Sequence, residues 1–394
     1  MKNVCHFVRK NSQLKASFIY NQIVNHRDFT PFIVYRKRVD KQFDGGFVKN
    51  DDFKFPELDL SLGESVYEKL IYKFFKKLSG RQRQILIKFI NDNNIKICHL
   101  HYATDAFIYL PALKNVNIPK VVSVYGYESS GFPRRFLGFG KRLLKNRTFR
   151  YATKVFSMSP DMKSDLISAG CPKEKVIVHY YGTDVQKFKQ THIFRDENPV
   201  KFLIISGLTP QKGHKFLLQA FKKAYESNPD ISLSIFGEGS ERYAIESFIR
   251  LYKMESYVQL LGAVVYGSQQ HMDSFASHDV FIHPSVTDIN GDKEGIPGAI
   301  VEAMAAGLPI ISTYHAGIPY IIENEKSGLL VKEWDIDALS KTILSLSSDS
   351  EERKNLAIAA QKFALTNLDL IVKEKELEEI YKSLITNKCV ESAE

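Results

Sequence analysis

Short runs of apolar residues alternate along the chain with segments of helical period, and this pattern predicts alternating β-strands and α-helices. In the first half the strand-like runs are 4–8, 31–35, 95–100, 120–124, 154–158 and 176–179. In the second half they are 201–205, 231–236, 257–261, 280–283 and 309–312. Runs that are apolar throughout are typical of parallel sheets covered by helices on both faces. The sequence therefore predicts an α/β protein with two doubly wound parallel sheets.

The polar stretch 184–199 separates the two halves of this pattern. We predict an N-terminal Rossmann-like domain at 1–186 and a C-terminal Rossmann-like domain at 187–372. The last helix, about 373–394, is expected to pack back on the first domain. Because ligands of such sheets bind at the carboxyl ends of the strands, two facing domains imply a site in the cleft between them.

Composition narrows the class of protein. The chain has 394 residues, of which 44% are hydrophobic and 25% charged, as in ordinary globular proteins. The cysteines at 5, 98, 171 and 389 form no C-x-x-C pair, which fits buried thiols in a reducing cytosol. No apolar stretch approaches the length of about 18 residues that spans a membrane, and the N-terminal run is too short for a signal peptide. We therefore expect a cytoplasmic protein without a membrane span.

The formal net charge of +9 points to a polyanionic partner or an anionic membrane surface. Seven cations alternate with apolar residues in the segment 134–150, from Arg134 to Arg150, which suggests an amphipathic element at the inner face of the cell membrane. A second basic and apolar region spans 69–88. Two ordinary surface helices with basic outer faces explain the same pattern equally well. Nucleic acid is not an expected partner, because no nucleic-acid-binding signature accompanies the charge.

The most informative motif is E-G-I-P-G-A-I-V-E, in which Glu294 and Glu302 bracket a Gly-Ile-Pro-Gly turn. Pro297 is expected at the first position of a helix that runs to Ala306. The free amides of 295–299 and the positive helix end then face a ligand that is anionic or rich in hydroxyl groups. An isolated pair of this kind is more often a loop acid and a solvent-facing helical glutamate, so the motif depends on its context.

Other loops of the second half provide that context. The strand at 201–205 leads into S-G-L-T-P-Q-K-G-H, where Lys212 is well placed to neutralise a diphosphate. Gly237 and Gly262 lie in small-residue turns after the next two strands, where the backbone can approach a ligand closely. Each of these signals is weak by itself.

Taken in order, these motifs resemble the retaining GT-B glycosyltransferases of family 4, group 1. The run 284–319, from P-S-V-T-D to H-A-G-I-P, resembles the bacterial exopolysaccharide branch that includes colanic-acid and amylovoran transferases. In the first half, S-F-I-Y-N-Q-I at 17–23, H-L-H-Y at 99–102, S-V-Y-G-Y-E at 123–128 and Y-G-T-D at 181–184 occupy family positions in the right order. The resemblance covers nearly the whole chain and implies two Rossmann-like domains that face each other across a cleft.

The resemblance also implies roles for individual residues. Glu302 would hold the ribose hydroxyls, Glu294 would bind the transferred sugar, and Lys212 would stabilise the diphosphate as the glycosidic bond breaks. The implied catalytic residues are Glu294, Lys212 and His101. The implied donor-binding residues are Glu302, Gly207, Gly237, Gly262, Gly295, Ile296, Pro297 and Gly298. The implied acceptor-side residues are Tyr125, Gly126 and Ser17.

The chain departs from the family pattern at three places. Gly207 stands where the family has an arginine at the diphosphate, and Tyr125 stands where its acceptor-side loop has a histidine. His101 is the candidate to serve the cleft in place of that histidine, although a lone histidine at the end of a strand is more often structural. The first strand is followed by 10–14, K-N-S-Q-L, and not by a glycine-rich loop.

Neither a metal nor a cofactor is expected beside the donor substrate. The D-x-D motif at 335–337 begins a helical pattern, and its first aspartate is better explained as an N-cap. The acidic loop 288–294 is explained more simply by carboxylates that bind sugar hydroxyls.

The implied function is retaining transfer of a hexose from a UDP- or GDP-linked sugar to a lipid-linked or oligosaccharide acceptor, in bacterial surface or exopolysaccharide synthesis. The alternative is a non-catalytic GT-B-fold partner or activating subunit, which the missing arginine and histidine would allow. Glu294, Lys212 and Glu302 favour the enzyme. A dinucleotide oxidoreductase is excluded, because no G-x-G-x-x-G follows a strand with an acid about 20 residues further on.

Overall fold

A computed structural model of the protein describes residues 1–39, 55–135, 137–189 and 199–391. In these parts the chain forms two compact units, one from 1–182 together with 370–391 and the other from 183–369. The predicted boundaries, after 186 and after 372, lie within four residues of these divisions. Most of the predicted polar linker, 190–198, lies outside the described residues.

The first unit is built on a seven-stranded parallel sheet. Its strands are β1 (Lys2–Lys10), β2 (Phe29–Lys37), β3 (Glu57–Asp59), β4 (Ile95–His101), β5 (Lys120–Ser123), β6 (Lys154–Ser157) and β7 (Val176–Val178). They lie in the order β3-β2-β1-β4-β5-β6-β7. The apolar runs of the sequence correspond to six of them, while β3 has only three residues and carries no periodic signal.

Helices follow most of these strands. They are α1 (Ser17–Val24), α2 (Val66–Phe75), α3 (Gly80–Asp92), α4 (Ala103–Tyr109), α5 (Phe139–Leu144) and α6 (Pro160–Ser168). The start of α2 is fixed by a capping box, in which Ser65 accepts from the Glu68 N–H and Glu68 accepts from the Ser65 N–H. Ser79 and Gln82 form the same box at α3.

The basic segment 134–150 does not form the single amphipathic element that its sequence suggests. Gly138 has a φ of 87°, a backbone conformation that ends regular helix. After it, α5 has only six residues and passes into a π-helical turn at Lys145–Phe149. Leu144 and Phe149 are buried in the first unit, so these apolar residues contribute to the core.

The second unit is built on a six-stranded parallel sheet. Its strands are β8 (Val200–Ile205), β9 (Ile231–Phe236), β10 (Val258–Gly262), β11 (Val280–His283), β12 (Ile310–Thr313) and β13 (Leu329–Val331), in the order β10-β9-β8-β11-β12-β13. Its helices are α7 (Val185–Phe188), α8 (His214–Ser227), α9 (Arg242–Leu251), α10 (Gln269–Ala276), α11 (Gly298–Ala305), α12 (Ile318–Ile321), α13 (Ile336–Ser348) and α14 (Ser350–Asn367). The core lies where β8, β9 and β11 pack on α8 and α13. The three-residue β13 was not predicted.

The final helix, α15 (Leu370–Glu391), belongs to the first unit. Leu377, Tyr381, Leu384 and Ile385 on α15 pack in one buried cluster with residues of β1, β2, β4, β5 and β6. Among the described residues, no helix is both long enough and apolar enough to cross a bilayer. Cys5, Cys98 and Cys171 are buried free thiols, and the side chain of Cys389 lies outside the described part.

Candidate active site

The predicted donor motifs all follow the carboxyl ends of neighbouring strands in the six-stranded sheet. Gly207 lies in the loop after β8, Gly237 directly after β9, and Gly262 at the end of β10. Backbone hydrogen bonds join these loops, from the Leu208 N–H to the Glu238 carbonyl at 2.9 Å and from the Gly237 N–H to the Gly262 carbonyl at 2.8 Å. The structure therefore brings together residues that lie as far as 55 positions apart in the sequence.

Two glycines in these loops are required by close backbone packing. A Cβ at Gly237 would lie 1.9 Å from the carbonyl oxygen of Ser206. A Cβ at Gly213 would lie 2.0 Å from the carbonyl oxygen of Pro284, and its φ of 70° also disfavours any other residue. Gly213 thus lets the loop that carries Lys212 contact the loop after β11.

Lys212 and Glu294 form an ion pair at this edge of the sheet. Lys212 ends a short 3₁₀ turn after β8, and its Nζ lies 2.6 Å from Oε2 of Glu294. The Lys212 side chain is 21% exposed and that of Glu294 9%, so the ammonium group stays accessible from solvent. The contact with the lysine ammonium group fixes the direction of the Glu294 carboxylate. The pair combines one cation with a carboxylate that accepts hydrogen bonds from hydroxyl groups.

Three residues that the sequence did not indicate hold Glu294 in place. The Ser285 hydroxyl donates to Glu294 Oε1 at 3.3 Å, and the Glu294 N–H donates to Nε2 of His315 at 3.2 Å. His315 Nδ1 lies 2.6 Å from Glu333 Oε1, so the neutral ring carries its proton on Nδ1 and donates to that carboxylate. Burial alone would raise the pKa of Glu333, but hydrogen bonds from His315 and Thr287 lower it below the ordinary value.

Glu302 lies in the second turn of α11, as the motif predicts, and is 7% exposed. The helix begins at Gly298, so the predicted first helical residue, Pro297, is instead the N-cap, with an extended ψ of 118°. Ile296 and Pro297 are buried and Gly295 is part of the same turn, where the Gly317 N–H donates to its carbonyl at 3.1 Å. Helix ends of this kind vary by a residue or two.

The surroundings of Glu302 shift its pKa. Burial raises the pKa of Glu302 to about 8, although the positive charge of Lys187 opposes the shift. Nε2 of His271 lies 3.5 Å from Glu302 Oε2, while His271 Nδ1 accepts from the Gly267 N–H at 3.0 Å. Burial, with Lys187, also lowers the pKa of His271 to about 4, so this ring is neutral at pH 7. Neither Lys187 nor His271 belongs to a motif that the sequence made visible.

We expect Glu302→Gln to stabilise the ligand-free protein at high pH. Above the ordinary pKa of 4.5 the unfolded carboxyl ionises while the folded one stays protonated up to about pH 8, so wild-type stability falls as pH rises through this window. The glutamine variant lacks that loss and should be more stable by about 4 to 5 kcal/mol at pH 9, with little difference at pH 4.5. Denaturant unfolding at both pH values measures the difference. A difference that is the same at both would contradict the assigned burial effect.

Gly207 occupies a position that can carry a larger side chain. The nearest atom to a Cβ built there is the Glu238 carbonyl oxygen, at 3.9 Å, and Gly207 is not among the residues of positive φ. Gly207→Arg should therefore fold and place a second cation beside Lys212. A charged hydrogen bond contributes about 1.5 to 3 kcal/mol, so we expect nucleoside diphosphate binding to tighten at least about tenfold in calorimetry. Gly207→Gln, which is long but uncharged, is the control, and equal gains in both variants would contradict the electrostatic explanation.

In the first unit, His101 lies at the end of β4 inside a network of hydrogen-bonding side chains. The side chain is fully buried, Nε2 lies 3.0 Å from His6 Nδ1, and Nδ1 lies 2.6 Å from the Tyr125 hydroxyl. Burial lowers the pKa of His101 to about 3. Both ring nitrogens of His101 are thus engaged inside the protein, and its contact with the hydroxyl group positions Tyr125.

Tyr125 lines a pocket of about 440 Å³ in the first unit. The guanidinium groups of Arg9 and Arg135, the carboxyl groups of Asp105 and Glu128, and three further aromatic rings share this pocket. Burial raises the pKa of Glu128 to about 7. Gly126 follows Tyr125 with a φ of 152°, and its carbonyl accepts from the Ser129 N–H and hydroxyl. Ser17 is the half-buried first residue of α1 and is not part of the pocket lining.

Two acidic motifs of the second unit have local structural partners. Asp335 is the N-cap of α13, and its side chain accepts from the Ala338 N–H. Asp288 Oδ1 accepts from the N–H groups of Asn290 and Asp292 at 2.8 Å each. These carboxylates order their own loops, in the way expected for the D-x-D motif.

Known proteins resemble the chain over most of its length. It is 31% identical over 237 residues to the putative colanic acid biosynthesis glycosyltransferase WcaL of Escherichia coli K12, covering 60% of this chain and 58% of that protein. It is 29% identical over 292 residues to the amylovoran biosynthesis glycosyltransferase AmsK of Erwinia amylovora, covering 74% and 70%. A UDP-Gal:alpha-D-GlcNAc-diphosphoundecaprenol alpha-1,3-galactosyltransferase of Escherichia coli is 24% identical over 77% of this chain and 79% of its own.

A solved structure shares the fold. The Anabaena protein Alr3699/HepE, crystallised in complex with UDP, superposes with a TM-score of 0.77 at 18% identity, covering 97% of this chain and 100% of that one.

Two family models also match the chain. Glycosyltransferase Family 4 matches residues 58–187, and Glycosyl transferases group 1 matches residues 185–363. Together these ranges cover more than half of the sequence, and the chain belongs to the group 1 glycosyltransferases of GT-B fold.

Proposed function

We propose that this chain is a retaining hexosyltransferase of bacterial surface or exopolysaccharide synthesis, which uses a UDP- or GDP-linked sugar and a lipid-linked or oligosaccharide acceptor. The observation that carries the proposal is the pairing of Lys212 with Glu294 among loops at the carboxyl ends of β8 and β11. That pair offers a cation for a diphosphate and a fixed carboxylate for sugar hydroxyls. Glu302, in the second turn of α11, is proposed to bind the ribose hydroxyls.

The proposed reaction exchanges one bond at the anomeric carbon of the donor. An acceptor hydroxyl attacks that carbon on the face from which the diphosphate departs, and the leaving phosphate oxygen takes the hydroxyl proton. The products are the glycoside and a nucleoside diphosphate. Lys212 stabilises the charge that develops on the diphosphate, which is the role of a preorganised cation in such transition states. In this proposal the side chain supplies that charge at the site without a metal ion.

The relatives support the class of donor and acceptor. Two of them are named for the biosynthesis of colanic acid and amylovoran, and a third for transfer from UDP-Gal to a sugar on diphosphoundecaprenol. The solved structure of similar fold holds UDP. We extend these properties to the present chain as part of the proposal.

We place the acceptor in the pocket of the first unit that Tyr125 lines. Two guanidinium groups, from Arg9 and Arg135, suit a phosphate, and aromatic faces suit a sugar ring. The buried carboxyl group of Asp105 lies 3.4 Å from Arg9 Nε and orients that guanidinium. An acceptor that joins a sugar to a phosphate matches this lining.

A binding panel tests the donor half of the proposal. Calorimetry of the wild-type protein with UDP, GDP and ADP, each with and without an attached hexose, should show tight binding of one nucleotide. Lys212→Ala should weaken binding of that diphosphate, while the nucleoside without phosphates should show no such dependence. Equal and weak binding of every nucleotide by both proteins would contradict the assignment.

We further propose that the protein docks on the inner face of the cell membrane through α2. The side chains of Val66, Tyr67, Phe74 and Phe75 are between 61% and 73% exposed, and in this helix the described buried residue is Glu68. Lys69, Lys73, Lys76 and Lys77 lie on or beside the same helix. Exposed aromatic and apolar side chains combined with lysines suit the interface of an anionic bilayer. Arg147 also donates to the carbonyls of Phe75 and Lys76, which ties α2 to the segment 134–150.

Replacing Phe74 and Phe75 by serine should weaken sedimentation with phosphatidylglycerol vesicles at least about tenfold, because two aromatic side chains no longer enter the interface. Vesicles of phosphatidylcholine should bind the wild type less strongly. Tyr243→Ser is the matched control, since this aromatic residue of α9 is 77% exposed and carries no such role. Equal vesicle binding by the double variant and the wild type would exclude α2 as the docking surface.

A further inference from the structure

A buried cluster of ligand-type side chains lies in the first unit where α15 covers the loop between α1 and β2. His26 Nδ1 is 2.6 Å from Glu374 Oε1 and 3.5 Å from Glu378 Oε1. The three side chains are 0%, 3% and 4% exposed. One ligand atom from each lies within 4.8 Å of the other two. The glycosyl transfer proposed above makes no use of these residues.

The two carboxylates of this cluster need a counter-charge, and although burial lowers the pKa of His26, its hydrogen bonds with Glu374 and Glu378 raise that pKa to about 9. Glu374 and Glu378 are four positions apart, which places both carboxylates on the same face of α15. Two carboxylates without a counter-charge are unfavourable in a protein interior. Nδ1 of His26 and both oxygens of Glu374 are buried, and Nδ1 lies so close to Oε1, at 2.6 Å, that a proton or a metal ion must separate the two lone pairs. Buried polar atoms are nearly always paired, so their convergence points to a cation between them.

The other nitrogen of His26 is held by a chain of hydrogen-bonding side chains. His26 Nε2 lies 2.8 Å from His6 Nε2, and His6 Nδ1 lies 3.0 Å from His101 Nε2. His101 Nδ1 in turn lies 2.6 Å from the Tyr125 hydroxyl. If each ring is neutral and donates toward Tyr125, the proton of His26 sits on Nε2 and the lone pair of Nδ1 faces the two carboxylates. Metal-binding histidines are typically fixed in this way through their second nitrogen.

Glu378 is oriented by the backbone. Its Oε1 accepts from the N–H groups of Arg27 at 2.8 Å and Asp28 at 2.9 Å. The loop that carries His26 therefore also fixes the direction of the second carboxylate. Outer contacts of this kind position ligands for a metal.

A neighbouring trio of His6, His99 and His101 also brings three ring nitrogens together. Its nitrogens are already partnered, since His99 contacts the Tyr381 hydroxyl through Nδ1 and the Ser123 hydroxyl through Nε2 at 2.7 Å. The trio therefore holds the His26 ring in place through His6 and is not itself the proposed metal site.

We propose that His26, Glu374 and Glu378 bind a divalent transition metal ion that fastens α15 to the first unit. One imidazole nitrogen and two carboxylates are a donor set suited to zinc and to neighbouring first-row metals. A charge of +2 balances the two carboxylates. The site is structural and separate from the proposed transfer reaction. A test of metal binding is therefore independent of the proposed donor and acceptor.

Metal content tests the proposal directly. Protein purified without a metal-affinity step should carry close to one equivalent of zinc or a neighbouring metal by mass spectrometry. Metal-free protein should bind Zn²⁺ in calorimetry, with a rise in unfolding temperature. Glu374→Gln and His26→Gln should weaken binding at least about tenfold. Glu379→Gln, on the same helix with a 60% exposed side chain, is the matched control.

Two outcomes would overturn the proposal. One is the absence of bound metal together with no response to added Zn²⁺, Mn²⁺ or Co²⁺, which would assign the counter-charge to a proton on His26. The other is zinc binding that Glu374→Gln leaves unchanged, which would place the ion elsewhere. Visible absorption of Co²⁺ added to the wild-type protein reports on the ligand set without any variant, so the test does not depend on the variants folding.

Discussion

Replacing Lys212 by alanine is expected to lower donor turnover by about 10²- to 10³-fold, or about 3 to 4 kcal/mol of activation free energy, the scale of one lost oxyanion donor. Lys212 supplies a positive charge in the loop after β8, and its Nζ lies 2.6 Å from the carboxylate of Glu294. Because residue 207 is a glycine and not an arginine, this position supplies no guanidinium group that could replace the lost ammonium charge. The loss should appear mainly in kcat, because the charge on the diphosphate grows as the bond breaks.

Lys215→Ala is the matched control for this prediction. Lys215 is an exposed residue of α8, three positions after Lys212, and has no contact with Glu294 among the described interactions. Its variant should retain wild-type turnover. A Lys212→Ala protein with turnover within about threefold of wild type would show that another group stabilises the leaving diphosphate.

Glu294→Gln is expected to lower kcat/KM by about 10²-fold or more. The variant keeps the shape of the side chain and one acceptor oxygen, but it loses the negative charge that Lys212 contacts at 2.6 Å and replaces the second acceptor oxygen by an NH2 group. Hydrogen bonds to a charged carboxylate are worth about 1.5 to 3 kcal/mol each, and a sugar presents more than one hydroxyl. Steady-state kinetics with the donor selected by the binding panel measures the effect, and Glu351→Gln on the exposed face of α14 serves as its control.

The two variants should not be additive. Because Lys212 and Glu294 touch, removing both is expected to cost less than the sum of the single losses, by about 1 kcal/mol or more. Fully additive losses in the double variant would mean that the ion pair of the free protein has no part in the reaction.

Much of the fold follows from local patterns that the sequence displays. Eleven apolar runs correspond to strands, because strands buried on both faces need no polar alternation. The strands β3 and β13 were missed since three residues are too few for a period to show. The amphipathic element suggested by the cations of 134–150 is interrupted at Gly138, a glycine visible in the sequence whose positive φ ends regular helix.

In the candidate site, too, some features follow from local sequence and others depend on the fold. The positions of Lys212 and Glu294 in loops and of Glu302 in α11 follow from local sequence motifs, while their roles stay predictions. Support for Glu294 from His315 and Glu333 was not predictable, since these residues follow 21 and 39 positions later and meet only through the parallel sheet. For His101 the sequence left a catalytic and a structural role open; its burial beside Tyr125 could not be predicted, because the side-chain direction at the end of a strand depends on the register of its neighbours.

The proposed metal ligands illustrate the limit of sequence reasoning more strongly. His26 and Glu374 are separated by more than 300 positions and lie on elements that no motif connects. Only the return of α15 to the first unit brings them together.

The most direct measurement of the central claim is transfer of a labelled hexose from the nucleotide sugar that the protein binds to lipids of a bacterial membrane extract. Wild type, Lys212→Ala and Glu294→Ala are compared at equal concentration, with release of the nucleoside diphosphate followed in parallel. The account predicts transfer and release by the wild type, and losses of about 10²-fold or more in both variants. Nucleotide binding without release or transfer by any of the three would contradict it, and would identify the chain as a non-catalytic partner of GT-B fold.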